Sequence, residues 1–348
     1  MVGTIASARR FRWHVLLSFV CYVSLNSSVY AAEGMTLRQR PLIVGVGMSI
    51  HDRREGVEAA ADLGVTSVRI DAPWSQLERQ KGVYEIPPWL EQTVVASLER
   101  RITPMLILAY GNSLYGGDKP KSKEAIAAFT QYAEFVAKHF RGRVLFYEIW
   151  NEWHTRTGGT TPGSAADYLD LVKQVYPGVK AIAPESTLLI GSFSVEAIEN
   201  GWVRDFLKLE AYKYADGISV HPYVYMNKGS LLSPEQSLRV LDRLESETRQ
   251  ANNGRDFPIY VTEFGYPTNA GRFGIEDALR ADYLKVFMSG AAARPYIRGV
   301  WWYGLYDQGD DRANKEHRFG LYGRNSKVNT TGQSLLEWTS RKTEQVRK

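Results

Sequence analysis

Two glutamates, Glu152 and Glu263, each close a short β-rich run, in Glu148-Ile149-Trp150-Asn151-Glu152 and Val261-Thr262-Glu263-Phe264-Gly265. A pair of carboxyl groups cleaves a glycosidic bond when one protonates the leaving oxygen and the other acts at the anomeric carbon. Set about 5–5.5 Å apart, the second attacks directly and configuration is retained. Carboxyls that close cannot both ionise freely, which predicts that one is pushed up and keeps its proton near neutral pH. Further polar residues close other β runs: Arg69 and Asp71 in Val68-Arg69-Ile70-Asp71-Ala72-Pro73-Trp74, His221 and Tyr223 in Ser219-Val220-His221-Pro222-Tyr223, and the trio Trp301-Trp302-Tyr303. Arg69 is expected to hold the nucleophile ionised. His221 and Tyr223 supply hydrogen bonds around the site, and Trp302 is expected to form the floor under a sugar. Glu148, inside its run, reads as a buried partner for Arg69 rather than as an acid. Asp71 is either a substrate contact or a cap on the following loop.

These residues share a site only if the elements bring the run ends together. From residue 42 onward, short β-rich runs alternate with amphipathic stretches eight times without a linker or low-complexity break. Strands are predicted at 43–48, 66–71, 102–109, 144–150, 188–192, 217–220, 259–262 and 299–303. Helices are predicted at 54–63, 88–100, 122–140, 165–183, 202–209, 234–250 and 275–292, with a last one near 333–341. Ser122, and Ser233 followed by Pro234, mark helix starts. Eight βα units predict an α/β protein built as a single (β/α)8 barrel, with a doubly wound open sheet as the alternative. In a barrel the strand C-termini share one mouth, so Glu152 on the fourth strand and Glu263 on the seventh face each other across the axis.

With the elements in place, the set Arg69, Asn151-Glu152, His221-x-Tyr223, Glu263 and Trp302 resembles clan A of the retaining (β/α)8 glycosidases, which includes families 5 and 39. The resemblance runs from Gly45 to about Trp338. It implies Glu152 as acid/base, Asn151 as the residue that binds the sugar 2-hydroxyl, Glu263 as nucleophile and Tyr223 as the tyrosine touching it. It implies neither metal nor cofactor. The run Trp301 to Tyr303, Leu305, Asp307, Glu316 and Phe319-Gly320-Leu321 is similar to family 39-like bacterial exopolysaccharide glycosidases. Two departures stand out: Trp153-His154 follows the acid/base where many members have Pro, and Tyr110-Gly111-Asn112 replaces a frequent His pair. The function implied is retaining hydrolysis of β-glycosidic bonds in a polysaccharide or oligosaccharide, endo-acting on an exopolysaccharide in its most specific form. Transglycosylation by the same glutamates, or a non-catalytic glycan-binding barrel in an export or assembly complex, are the alternatives.

Composition fits. The chain is 348 residues with 44% hydrophobic residues and 12% aromatic ones, including nine Trp and twenty Tyr, whose flat rings pack cores and stack on sugars. Trp153, His154, Tyr110, Tyr115, Tyr225, Tyr266 and Tyr306 fall in predicted βα loops, and of these Trp153 and Tyr110 are taken as substrate-binding; Trp89, Trp202 and Trp338 fall on helices as core. The net charge of +5 includes three leader arginines and no clustered basic face, which excludes a nucleic-acid binder. Arg9, Arg10 and Arg12 precede an apolar run over 13–23 and small residues through Ala31-Ala32, predicting a signal peptide over 1–31 and a catalytic barrel over 32–348. The product is then exported, periplasmic or extracellular; an uncleaved anchor is the alternative, the run being about half of what spans a bilayer. Cys21 lies in the leader, so the mature chain would have no thiol for a disulfide, a nucleophile or zinc. Gly45-Val46-Gly47 lacks the third glycine of a dinucleotide fingerprint, Gly111 to Lys119 misses phosphate-loop spacing, and neither H-E-x-x-H nor G-x-S-x-G occurs. Asp307, Asp310 and Asp311 read as a solvated loop rather than a calcium site.

Overall fold

The computed structural model describes residues 41–223 and 233–347; the predicted leader and Tyr225 lie outside them. Eight parallel strands close into a barrel: β1 (Ile43–Met48), β2 (Ser67–Pro73), β3 (Thr103–Ala109), β4 (Phe146–Ile149), β5 (Thr187–Ser194), β6 (Gly217–His221), β7 (Ile259–Phe264) and β8 (Ile297–Trp302). Each pairs with its neighbours in sequence, and β1 pairs with β8 to complete the ring. Helices α1 (Arg53–Asp62), α2 (Pro88–Glu99), α3 (Lys123–His139), α4 (Ala165–Ile182), α5 (Trp202–Lys208), α6 (Pro234–Ala251), α7 (Asp277–Ala292) and α8 (Thr330–Arg347) follow the strands in turn. The architecture is a single (β/α)8 barrel. No described helix is long and apolar enough to cross a membrane.

Local chemistry sets the boundaries. The Ser122 side chain accepts from Ala125 N at the start of α3, and Ser164 does the same for Asp167 N at the start of α4. These side chains satisfy amide groups that the helix itself leaves free. Pro234 opens α6, where its missing N–H costs nothing.

The barrel interior is apolar low down and polar at the mouth. Trp301 fills the lower interior with Tyr260 beside it, and its indole donates to Ser67 Oγ at 3.1 Å. Gly45 on the adjoining strand makes room, since a Cβ there would come within 2.1 Å of the Trp301 ring. Strand side chains alternate between faces, so Trp302 is directed outward to the helix layer. Two register shifts alter that alternation higher up. In β7, Val261 pairs with Val300 but Phe264 with Trp302, which inserts an extra residue and allows the consecutive Thr262 and Glu263 both to reach the interior. In β5 the shift between Ile190 and Phe193, with Ser192 at φ 50°, turns the Ser192 hydroxyl toward Glu148.

Candidate active site

Arg69, near the middle of β2, anchors the mouth. Its Nε donates to Glu148 Oε2 at 2.8 Å, its Nη1 to Glu263 Oε1 at 2.7 Å and its Nη2 to Asn151 Oδ1 at 2.9 Å. Glu148 is fully buried and also accepts from Ser192 Oγ and Thr262 Oγ1, both at 2.9 Å. Burial alone would push its carboxyl up; the charge of Arg69 and His221 and the surrounding donors bring it below the ordinary value. Glu148 is thus the buried counter-charge that lets one arginine cross the barrel and hold Glu263.

Glu263 accepts from Tyr223 Oη at 2.9 Å through Oε2. Glu152 lies just beyond β4 in the left-handed region, at φ 49°, and accepts from Thr157 Oγ1 at 3.1 Å through Oε2. Its Oε1 is 3.0 Å from His221 Nδ1, and that nitrogen is 3.5 Å from Glu263 Oε2. One ligating atom from each of Glu152, His221 and Glu263 lies within 4.8 Å of the others. These atoms could hold a divalent cation; equally, they bring an oxygen of each carboxylate within 4.8 Å of the other, the close approach that direct attack on an anomeric carbon uses.

Thr262 gives its single hydroxyl hydrogen to the Glu148 carboxylate, so its oxygen accepts from His221 Nε2 at 3.2 Å. The bond between His221 Nδ1 and Glu152 Oε1 needs one proton, on either atom. Burial raises the Glu152 carboxyl, but its hydrogen bond to His221 and the charge of that ring outweigh burial and bring it down to about 2. The expected upward shift of one carboxyl is therefore corrected for Glu152: the hydrogen bond and charge of the histidine beside it outweigh burial.

A cleft of about 770 Å³ opens over this network, lined by Arg69, Asp71, Asn151, Glu152, Glu263 and Tyr303 among others. Tyr110 lines it as well, its Oη accepting from Asn151 Nδ2 at 3.2 Å. Two expectations fail. Trp302 is 3% exposed, packs edge-on to Phe264, donates to Phe319 O and does not line the cleft. Since Trp301 takes the interior position, alternation gives the mouth to Tyr303 instead. Trp153 is wholly buried, stacked on Tyr168 with its Nε1 bonded to Ser164 O, so it wedges the loop onto α4 and meets no substrate. Burial holds His154 neutral, at about 4, against Phe193 and Trp202. Tyr115 stacks on Trp74 and Tyr266 is buried, whereas Tyr306 lines the cleft. Asp307 turns inward to Gly320 N and Arg318. Residues the sequence did not single out are Thr157, Thr262 and Ser192, together with Ser49, His51, Gln308 and Lys315 on the cleft wall. Only Thr262, adjacent to Glu263, carried any signal.

A closed (β/α)8 barrel with paired carboxylates at its C-terminal mouth is the architecture of a clan A glycoside hydrolase. The profile described as cellulase (glycosyl hydrolase family 5) matches residues 46–304, and the chain belongs to that family. Solved structures share the fold. A family 39 glycoside hydrolase from the gut symbiont Bacteroides cellulosilyticus WH2 superposes with TM-score 0.75 at 24% identity, over 88% of this chain and 65% of that one. The chain therefore spans just under two thirds of that protein. A GH5_18 protein from Bifidobacterium longum subsp. longum ATCC 55813, in complex with Manβ1-4GlcNAc, gives 0.70 at 14% identity, covering 86% of this chain and 78% of that one. The exo-β-1,4-mannosidase Op5Man5 from Opitutaceae bacterium strain TAV5 gives 0.64 at 18%, covering 88% and 60%. No curated protein matches the chain.

Proposed function

We propose that the protein is a retaining β-glycosidase in which Glu263 is the nucleophile and Glu152 the acid/base. The observation that carries this reading is the convergence of a Glu152 oxygen, a Glu263 oxygen and His221 Nδ1 within 4.8 Å at the cleft. Separations of about 6.5–9.5 Å, with room for a water between the carboxyls, serve inversion instead. In the first step Glu263 bonds to the anomeric carbon as the bond from that carbon to the leaving oxygen breaks. The leaving oxygen takes the proton shared by Glu152 and His221. In the second, Glu152 removes a proton from water, whose oxygen bonds to the anomeric carbon and releases Glu263. Arg69 and Tyr223 hold the Glu263 carboxylate in place, and Asn151, fixed by Arg69 and Tyr110, presents its amide to the sugar.

The substrate in this reading is a β-linked oligosaccharide or polysaccharide. The complex of the GH5_18 relative with Manβ1-4GlcNAc and the exo-mannosidase relative support a glycan of that general kind. The basic, apolar and small-residue succession over 1–31 supports export to the periplasm or beyond, where an exopolysaccharide would be met. A binding-only barrel has no chemical use for a facing carboxylate pair.

The test is mass spectrometry after exposure to 2-deoxy-2-fluoro-β-glycosides of glucose, mannose and galactose. A covalent sugar on Glu263, lost in Glu263→Gln, is expected. Adduct formation on another residue moves the nucleophile and defeats the assignment.

A further inference from the structure

Building on the retaining-glycosidase reading, we propose that Asp71 selects the sugar whose bond is cut, by accepting hydrogen bonds from hydroxyl groups of a glycone that carries no carboxylate. Asp71 stands two residues after Arg69 in β2, so both point into the barrel and Asp71 lies one step nearer the mouth. It lines the same cleft as Asn151, Glu152 and Glu263. Its Oδ1 is buried with no hydrogen-bond partner, and the guanidinium bonds of Arg69 go to Glu148, Glu263 and Asn151. The alternative of a loop cap fails for that oxygen, since no amide donates to it.

A carboxylate oxygen sealed without a donor opposes folding. Burial pushes the Asp71 carboxyl up to about 6, with the Arg69 charge working against that rise. Such a group is costly to the fold, but Asp71 as a whole is only half-buried and lines the cleft, so donors arriving there meet its carboxylate. The charges around it narrow the choice. Glu152, Glu263 and Glu316 share the cleft lining; of its cations, Arg69 is paired with Glu148 and Glu263, and Lys315 is 2.7 Å from Glu316. A uronate carboxylate entering here would meet like charge, whereas neutral sugar hydroxyls supply the donors that Asp71 lacks.

The experiment compares the full-length protein with Asp71→Asn on 2,4-dinitrophenyl β-glycosides of glucose, mannose and glucuronic acid. Thermal unfolding is measured at pH 4 and pH 8 beside it. The protein is expected to favour a neutral glycoside over the glucuronide by at least about tenfold in kcat/KM, and Asp71→Asn to lose about 100-fold on that glycoside. The folded carboxyl, near 6, lies above its ordinary 3.8, so its ionisation weakens folding as pH rises through that interval. Asp71→Asn should therefore melt at or above the parent temperature at pH 8, with the difference fading at pH 4. A variant within threefold of the parent, a variant that loses activity and melting temperature together, or a preference for the glucuronide overturns the proposal. Labelling of Glu263 with a fully active Asp71→Asn defeats this proposal alone. Absence of both turnover and labelling with every sugar overturns the retaining reading and this one with it.

Discussion

Glu263 and Glu152 face the same cleft on different kinds of support. Glu263 is a strand residue, fixed by the ladder of β7 with its neighbours, by the Arg69 guanidinium and by Tyr223. Glu152 sits past the end of β4, in a loop with little regular structure, and its side chain is 22% exposed against 11% for Glu263. Side-chain bonds do there what the ladder does on the other side. Lys119, 4% exposed, donates from one ammonium to the carbonyls of Thr155, Thr157 and Thr161, each at 3.1 Å. Asp118 accepts from Thr160 N at 3.2 Å, and Thr155 Oγ1 donates to Glu152 O at 3.0 Å. The loop thus closes around a buried cation, and Thr157 is delivered to Glu152. In the proposed mechanism the residue that attacks stands on a rigid strand, and the one that gives and later takes a proton stands in a polar loop beside a histidine.

Removing the two carboxylates tests the contrast most severely. Glu263→Gln is expected to lower kcat by about 10⁵-fold whatever the leaving group. Glu152→Gln should cost about 10²–10⁴-fold with poor leaving groups and much less with dinitrophenyl glycosides, which need no proton. A series of aryl glycosides of graded acidity separates the two, and equal sensitivity in both variants would dissolve the distinction.

His221→Asn comes next. It removes the hydrogen bond and charge that bring Glu152 down to about 2 but leaves burial, which raises that carboxyl. The proton of the first step then rests on Glu152 alone, and the alkaline limb of kcat/KM is expected at lower pH, with about 10- to 100-fold less activity at neutrality. An unmoved limb would deny the shared proton.

Lys119→Met leaves three loop carbonyls without their ammonium and should lower the melting temperature by several degrees, consistent with about 1–3 kcal/mol. Turnover of poor leaving groups should fall about tenfold while activated ones hold. An equal loss on both would mean that the clamp serves the whole barrel rather than the acid side.

Thr157→Ala removes one hydrogen bond to the partly exposed Glu152 carboxylate, worth about 1.5 kcal/mol, so a fall of about tenfold is the ceiling. Stopped assays with an unactivated oligosaccharide would detect it. A larger loss would show that Thr157 touches the sugar itself.

Much of this molecule was legible before folding was considered in three dimensions. Strand β1 coincides with its predicted span, and the other seven strands differ from theirs by a few terminal residues at most, because apolar β-branched runs bounded by turn residues carry that information locally. Glu152, Glu263, His221 and Tyr223 share one mouth because each lies at or just past the C-terminal end of a parallel strand, and Arg69 reaches them from the middle of β2. Trp302 was misplaced for an equally local reason. Two adjacent tryptophans end β8, and composition does not say which faces inward until Gly45 is seen to leave room for Trp301. Trp153 was misjudged because a loop aromatic that stacks on sugar and one that stacks on Tyr168 look alike in one dimension.

The chain by itself therefore determined the count and order of βα units, the pair of carboxylates and the arginine below them, since all rest on short-range periodicity. Tertiary structure alone decided that Thr262 and Glu263 both face inward, through an extra residue in β7 that only register with β8 makes visible. It also decided that Lys119 fastens a loop more than thirty residues away, that His221 stands between the two glutamates, and that Asp71 carries a sealed oxygen with no donor. These depend on distances between groups far apart in sequence, and such distances are fixed only when the barrel closes.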